Sequence, residues 1–501
     1  MEQLPPEKRT RGAWLALAAA LLGWGFDGME MGVFPLVGRP ALRDLLHSTD
    51  ESMVGLWYGG ITAGFLIGAA TGGVLFGWLG DRLGRVRAMT LSVLVYALFT
   101  GACGLAQSAG QVAGLRFIAS LGMGGEWSLG VALVMELWPD RSRALLAGLI
   151  GSVANVGYML IGIVGLFLTG MIADVGGWLS AAGLSDAIVE KLTANQGWRI
   201  LMLAGAGPAL LTFLIRLFVP ESERWQEQRD RGAASHWATQ DLLGVLVGAV
   251  AALTIVVLAM WQGLPLWLRV LGTLLGVVVA AAGFLFPVAR YLRRSELGRD
   301  TAARALRPTI GRMLLAAGLS GVALLATWGS IQWAPVWADQ MAGAEIPSAK
   351  SWTQVSSAFG AVFGTVVAAL AGDWLGRRLT YCAMCLASLG SILWLYQGHE
   401  HYGPEMLVSV AVAGFCTASF YGWLPLYLPE LFHTSVRGTG QGFGFNFGRI
   451  LAAIGTLQTG NLLGMFGGNY PLACSIMSAV YLLGVVLIWF APETRGQPLP
   501  E

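Results

Sequence analysis

The sequence predicts an all-α polytopic membrane protein: two six-helix bundles related by a pseudo-two-fold axis, plus an extra central hairpin, giving about fourteen transmembrane helices. Three observations carry this. Charge is too scarce for a soluble chain. Apolar stretches of bilayer-crossing length recur along it. Basic residues gather in alternate connections between those stretches. Only 12% of the 501 residues are charged and 55% are hydrophobic, whereas soluble domains carry about 25% charge. One buried core cannot absorb that imbalance, but lipid acting as a second apolar solvent can. The 70 glycines suit helices that pack closely in a bilayer. A formal net charge of +2 points to no charged partner, and nucleic acid is not expected.

About 20 apolar residues cross the hydrocarbon as a helix. Spans are expected near 13–37, 53–79, 88–107, 110–137, 144–172 and 198–219, forming a first bundle within residues 1–220. A second set near 313–338, 352–372, 379–397, 404–427, 438–465 and 470–491 forms a second bundle within 312–501. Residues 221–311 form a cytoplasmic linker with a transmembrane hairpin inserted at 241–289. The start of the chain is a short basic tail running into the first span, with no cleavable signal peptide expected.

The basic residues orient these spans. Arg82, Arg85 and Arg87 follow the second span, and Arg141 and Arg143 follow the fourth. Arg224, Arg229 and Arg231 follow the sixth; Arg377 and Arg378, then Arg437, repeat the pattern later. Arg39, Arg43, Lys191 and Lys350 are the main exceptions, lying in the other connections. The positive-inside rule therefore places both termini in the cytoplasm, in what is expected to be a bacterial inner membrane. A hairpin of two spans preserves this parity.

The halves repeat each other. Gly77-Trp-Leu-Gly-Asp81-Arg82-Leu-Gly84-Arg85-Val-Arg87 follows the second span, and Gly372-Asp373-Trp-Leu-Gly376-Arg377-Arg378 follows its counterpart. Glu136-x6-Arg143 and Glu430-x6-Arg437 come later, 55 residues after Asp81 and 57 after Asp373. Two motifs recurring in order at matched intervals indicate an internal duplication.

These residues carry a family resemblance. The Gly77–Arg87 segment resembles the motif of the major facilitator superfamily. RFIASLGMGGEW (116–127), VPESERW (219–225) and PETRG (492–496) are similar to segments of its sugar porters and its organic-acid:proton symporters. The resemblance covers the chain except for roughly 230–310, and Trp374 stands where the second motif usually has a basic residue. It implies alternating access with a solute site between the halves near the midplane.

The motif charges read as a cytoplasmic gate, since exposed ion pairs contribute only about 0–1 kcal/mol each and a network of them is reversible. Asp81, Arg85, Glu136 and Arg143 are expected to hold the outward-facing state, together with Arg82. Asp373, Arg377, Arg378, Glu430 and Arg437 are their counterparts. Asp81 is placed at the positive end of the eleventh span, near Gly438.

Ionisable residues inside spans are costly and mark pathways. Span one holds Asp27 and Glu30 on one face, span four holds Arg116 and Glu126, and span eleven holds Asn446 and Arg449. Counting along the helices puts Glu30 and Arg116 about 28–30 Å above the cytoplasmic ends, and Glu126 and Arg449 about 15–18 Å. Arg116 can therefore meet Glu30 or Asp27, while Glu126 and Arg449 share a level. Asp27, Glu30, Arg116 and Glu126 are the expected proton-coupling group, in line with the first-span acid and fourth-span Arg of sugar porters and the DGxD of organic-acid symporters. Trp328, Gln332, Tyr421, Asn446 and Arg449 are the expected solute-binding group.

Chemistry of other kinds finds no support. The Cys382-x-x-Cys385 pair lies within an apolar helix and reads as packing, and His399, Glu400 and His401 sit in a short outer loop as solvated residues. No phosphate-binding loop or nucleophile with a base appears, so neither a cofactor nor enzymatic activity is expected. The expected partners are a small-molecule substrate, protons and the lipid bilayer. An anionic solute moved with a proton fits an unpaired Arg449, and a neutral sugar fits equally well if Glu126 neutralises it. A sugar symporter or facilitator, a drug-efflux antiporter and a non-transporting sensor remain alternatives.

Overall fold

The computed structural model describes residues 6–48, 50–137, 143–207, 221, 223–230, 238–261, 263–294, 299–343, 345–346 and 348–500. Every regular element among them is helical. In chain order these are α1 (Pro6–Leu46), α2 (Glu51–Leu83), α3 (Arg85–Cys103), α4 (Ala109–Leu137), α5 (Arg143–Ala181) and α6 (Asp186–Ala204). The short α7 (Glu223–Asp230) and the pair α8 (Leu242–Met260) and α9 (Leu266–Arg294) follow. Then come α10 (Arg299–Gly329), α11 (Ala334–Ala342), α12 (Ala349–Leu375), α13 (Arg377–Gln397) and α14 (Pro404–Ala418). The chain closes with α15 (Phe420–Tyr427), α16 (Arg437–Met465), α17 (Tyr470–Ser478) and α18 (Tyr481–Leu487).

Ten spans among the described residues are long and apolar enough to cross a bilayer. Helices α1, α4 and α16 are outside that set. They carry Asp27, Glu30, Arg116, Glu126 and Arg449, ionisable side chains of the kind that mark a pathway. The expected sixth span runs into residues 208–220, outside the described residues.

Three expected spans are broken helices. The seventh stops at Gly329 and resumes as a 3-10 turn at Ile331–Trp333 and then α11. The freed carbonyls find donors: Tyr396 OH donates to the Ser330 carbonyl at 2.9 Å, and Ser330 Oγ donates to that of Ala326 at 2.6 Å. Irregular backbone at membrane depth survives where its polar groups are satisfied or face a cavity. The tenth span changes helix at Ser419 and the twelfth at Ala479 and Val480. Before the sixth span, Asn195, Gln196 and Gly197 take φ of 49°, 63° and 64°, and Asn195 Nδ2 donates to Asp44 Oδ1 at 2.9 Å.

Packing runs in two patterns. Helix α4 packs on α2 and α3, α1 on α5, α10 on α16, and α12 on α14. Across them, α2 packs on α16 and α5 on α12 and α15. The pair α8–α9 lies antiparallel, fastened by an ion pair between the buried Asp241 and the partly exposed Arg294, and leans on both α2 and α16; Phe284 meets Phe447 edge-on.

Glycines recur four residues apart in α2, at Gly60, Gly64, Gly68 and Gly72, and in α16, at Gly440, Gly444 and Gly448. Gly68 and Gly72 of α2 face the α4 backbone, and Gly444 and Gly448 of α16 face α10. Gly73 and Gly77 are the α2 glycines against α16. Gly68, Gly72, Gly444 and Gly448 are thus close-packing positions within each half. A Cβ on Gly72 would collide with the Leu121 carbonyl, whereas nothing lies within 4 Å of one on Gly64. Gly72→Ala is therefore expected to destabilise by about 1–3 kcal/mol. Gly64→Ala should be neutral or stabilise by about 0.5–1 kcal/mol. Melting of the two purified variants checks this, and equal shifts would contradict it.

Candidate functional site

The break after Gly329 opens onto a central cavity of about 120 Å³. Asp27 of α1, Tyr158 of α5, Trp328 and Gln332 beside the break, Tyr421 of α15 and Arg449 of α16 line it. Of the expected solute-binding residues, only Asn446 is absent from the wall: its amide donates to the Gly124 carbonyl at 3.2 Å, on the α4 side of α16. Spacing along α16 could not separate it from Arg449, because residues three apart share a face and the helix's rotation decides which is turned inward.

The buried charges fall into two groups. Arg116 pairs with Glu30 at 3.2 Å, both buried, with its guanidinium over the rings of Phe34 and Phe65 at 4.5 and 4.6 Å. This pair is not part of the cavity wall. The second group is Asp27, Glu126 and Arg449. The Asp27 and Glu126 carboxyl groups lie within hydrogen-bonding reach of each other, and Arg449 acts on Asp27. Asp27 and Arg449 share the cavity wall, while Glu126 points at α1, with its Oε1 against Gly23, one turn before Asp27. Asp27 Oδ1, Glu126 Oε2 and one Arg449 Nη are buried without a hydrogen-bond partner among the described residues. A stack of Trp127 on Phe445 at 3.7 Å joins α4 to α16 beside them.

Sequence reasoning missed Asn155, Tyr158 and Gln354. Asn155 and Tyr158 line the cavity from α5. Tyr158 OH donates to Gln332 Oε1 at 3.3 Å, and Gln354 Nε2 donates to the Tyr158 carbonyl at 3.2 Å. Their signal was an uncharged polar residue inside an apolar helix, weaker than a charge.

The motif residues meet at one end of the bundle. Asp81 pairs with Arg85 and accepts from the Thr439 hydroxyl and, at 2.9 Å, from the Thr439 backbone N–H. That N–H belongs to the first turn of α16, so an anion sits at the positive end of a helix across the α2–α16 contact. Glu430 accepts from Arg377 at 2.8 and 3.0 Å and lies 3.8 Å from Arg143, which opens α5. Arg82 donates to Thr239 Oγ1 at 3.0 Å, tying this end to the residues before α8. Arg378 donates to the Ala491 carbonyl and Arg437 to that of Pro500. The Glu136 side chain lies outside the described residues.

Asp373 departs from its expected place. Its side chain is 60% exposed and 3.6 Å from Arg377, the geometry of a weak surface pair. Glu430, not Asp373, reaches the other half. Two carboxylates not singled out from the sequence do symmetric work instead. Glu221 accepts from the N–H groups of Arg85 and Val86 at the start of α3, and Glu493 from those of Arg377 and Arg378 at the start of α13. Partial burial pushes the Glu493 carboxyl up, but backbone N–H donors, including that of Arg495, outweigh this and hold it below its usual range. It therefore stays ionised at neutral pH. The recurrence of Pro-Glu in VPESERW and PETRG was the available signal.

A family model described as "Sugar (and other) transporter" matches residues 15–245 and 337–496. The chain belongs to the sugar (and other) transporter family of the major facilitator superfamily. The unmatched stretch spans α9, α10 and most of α8. The cis,cis-muconate transport protein of Acinetobacter baylyi is 26% identical over 435 residues, 86% of this chain and 84% of that protein. The gallate transporter of Pseudomonas putida is 25% identical over 470 residues, 93% of this chain and 88% of that protein. Among solved structures, the proton:xylose symporter XylE bound to 6-bromo-6-deoxy-D-glucose superimposes with a TM-score of 0.68 at 17% identity over 98% of each chain, a likeness of fold. The chain is an integral membrane transporter of a small solute, not an enzyme.

Proposed function

We propose that this transporter moves a small organic anion together with protons, by alternating access between two six-helix bundles. Residues 1–220 and 312–501 form the bundles, the 221–311 linker carries the hairpin, and about fourteen helices span the membrane with both termini cytoplasmic. The relatives named for muconate and gallate support the anionic solute. The observation that carries the reading is Arg449 sharing the cavity wall with Asp27, with Glu126 against α1 one turn from Asp27.

Charge balance explains the coupling. With one proton shared by Asp27 and Glu126, the remaining carboxylate neutralises Arg449 and leaves no net attraction for an anion. A second proton releases Arg449 to hold the solute's carboxylate, and the loaded site is again neutral. A neutral site avoids the large cost of carrying an unpaired charge through a low-dielectric interior. Glu30 lies one turn along the same face of α1 and is the station that relays the proton, releasing Arg116 when it is protonated and pairing with it again once the proton has moved on. The Asp81–Thr439 and Glu430–Arg143 contacts hold the cytoplasmic ends together while this occurs.

Uptake of labelled gallate and cis,cis-muconate into membrane vesicles tests the reading. An inward proton gradient of one pH unit is expected to raise steady-state accumulation about tenfold for one coupled proton. Equal uptake with and without the gradient removes coupling. Uptake of xylose but neither acid removes the anion.

A further inference from the structure

The α8–α9 hairpin falls almost wholly in the stretch that the family model leaves unmatched, so the family likeness gives it no role. Its contacts do. It is a stiff unit: a Cβ on Gly283 would collide with the Gly244 carbonyl and the Gly248 nitrogen, so its two helices meet backbone to backbone. The Asp241–Arg294 ion pair joins their cytoplasmic ends. Helix α8 is seated on α2. Met260 covers Gly60 toward the outer end, and Arg82 donates to Thr239 Oγ1 at 3.0 Å at the cytoplasmic end. Gly60 and Arg82 stand 22 residues apart, about 33 Å along the helix. Helix α9 packs on α10 and α16, with the Phe284 and Phe447 ring centroids 6.4 Å apart. The hairpin thus straddles the α2–α16 contact and is attached on both sides of it.

The opposite seam between the halves is built differently. Helix α5 meets α12 and α15 through Gly148, Gly151, Gly162 and Gly165, which present no side chains to interlock. The polar ties across it are long. Gln354 Nε2 lies 3.2 Å from the Tyr158 carbonyl, Tyr158 OH 3.3 Å from Gln332 Oε1, and Arg143 3.8 Å from Glu430. The cavity also lies on this side. Its wall takes Gly151, Asn155 and Tyr158 from α5 and Ser357 and Ala361 from α12, and, among the described residues, none from α2, α8 or α9.

We propose that the hairpin is a splint that makes the α2–α16 seam the hinge of the transport cycle, so that the halves part at the α5–α12 seam. This rests on alternating access as read above, and not on the charge of the solute. In lipid, apolar helices gain little by meeting one another, so a seam stays shut only where backbone contact, ring packing and polar ties hold it. Parting α2 from α16 would strip Met260, Phe284 and the Arg82–Thr239 bond of their partners with nothing apolar or polar to replace them. Parting α5 from α12 opens the cavity to water, which can take over the bonds of Tyr158, Gln332 and Gln354.

Distances between nitroxide labels test this on the full-length protein in lipid nanodiscs, at acid and alkaline pH, with gallate present or absent. Met53→Cys and Met465→Cys carry labels at the outer ends of α2 and α16. Phe167→Cys and Trp352→Cys carry them on the outer parts of α5 and α12, in a background without the native cysteines. All four positions are exposed. The 167–352 distance is expected to shift by about 5 Å or more between states, while the 53–465 distance stays within the about 1–2 Å of helices sliding in contact. Thr239→Val combined with Met260→Ala releases α8 from α2, and the 53–465 distribution should then widen to about 5 Å or more. A 53–465 distance that shifts as far as the 167–352 distance while the hairpin is intact overturns the proposal. So does an unchanged 53–465 distribution in the released variant. Gallate uptake with a fixed 167–352 distance and a moving 53–465 distance overturns the hinge and leaves alternating access standing. If neither distance shifts under any condition, alternating access fails and the hinge with it. A moving α5 seam beside a fixed α2 seam, in a protein that takes up neither gallate nor muconate, supports the splint and defeats only the solute reading.

Discussion

Arg449→Ala is expected to reduce uptake of an organic anion by about 100-fold or more while leaving the protein folded. The guanidinium is buried on the cavity wall, which it shares with Asp27, its proposed countercharge. Removing one partner of a buried pair costs about 3–5 kcal/mol because the other charge is stranded. Here the stranded group is a carboxyl beside a second carboxyl, and it takes up a proton rather than remain charged. The folding penalty is thereby softened, and the loss falls on solute binding, where no cation remains to receive the carboxylate. Arg449→Lys should recover part of the activity, since a point charge replaces a forked donor. Uptake of gallate or muconate, with melting of the purified variant as a folding control, provides the measurement. An equal loss of anion and sugar uptake would remove charge recognition from Arg449.

The second large effect is expected at Glu30. Glu30→Gln keeps the side chain's shape but removes its titration and its ion pair with Arg116. Arg116 still rests between the Phe34 and Phe65 rings, so its position is supported by cation–π contact. Accumulation driven by a one-unit pH gradient should fall from about tenfold to about onefold. Exchange of labelled for unlabelled solute across the vesicle membrane should continue, because that reaction needs no net proton movement. Retained accumulation in this variant would remove Glu30 from the proton route, leaving Asp27 and Glu126 as its sole carriers.

Both predictions concern residues that stand out in the sequence. A charge within an apolar stretch is costly, so Asp27, Glu30, Arg116, Glu126 and Arg449 are visible by composition alone. The pairing of these charges was not. Depth along each helix allowed Arg116 to meet either first-span acid and put Glu126 level with Arg449. The fold pairs Arg116 with Glu30 and puts Asp27 and Arg449 on the wall of one cavity. The motif residues show the same division. The position of Asp81 at the head of α16 followed from its spacing and the helix dipole. The outward turn of Asp373 and the reach of Glu430 to Arg143 did not.

The chain's own sequence determined its partition into lipid, the duplicated motifs and the set of ionisable groups held at membrane depth. These depend on local composition and one-dimensional spacing. Tertiary structure alone decided which way each helix is turned: that Asn446 faces α4 while Arg449 faces the cavity, that Gly72 faces α4 while Gly73 faces α16, and that the seventh span breaks at Gly329. Each residue step rotates a helix by about 100°. A face is therefore known only once long-range packing has set the rotation, and in lipid, where apolar side chains gain little by turning inward, close backbone contact and polar satisfaction set it.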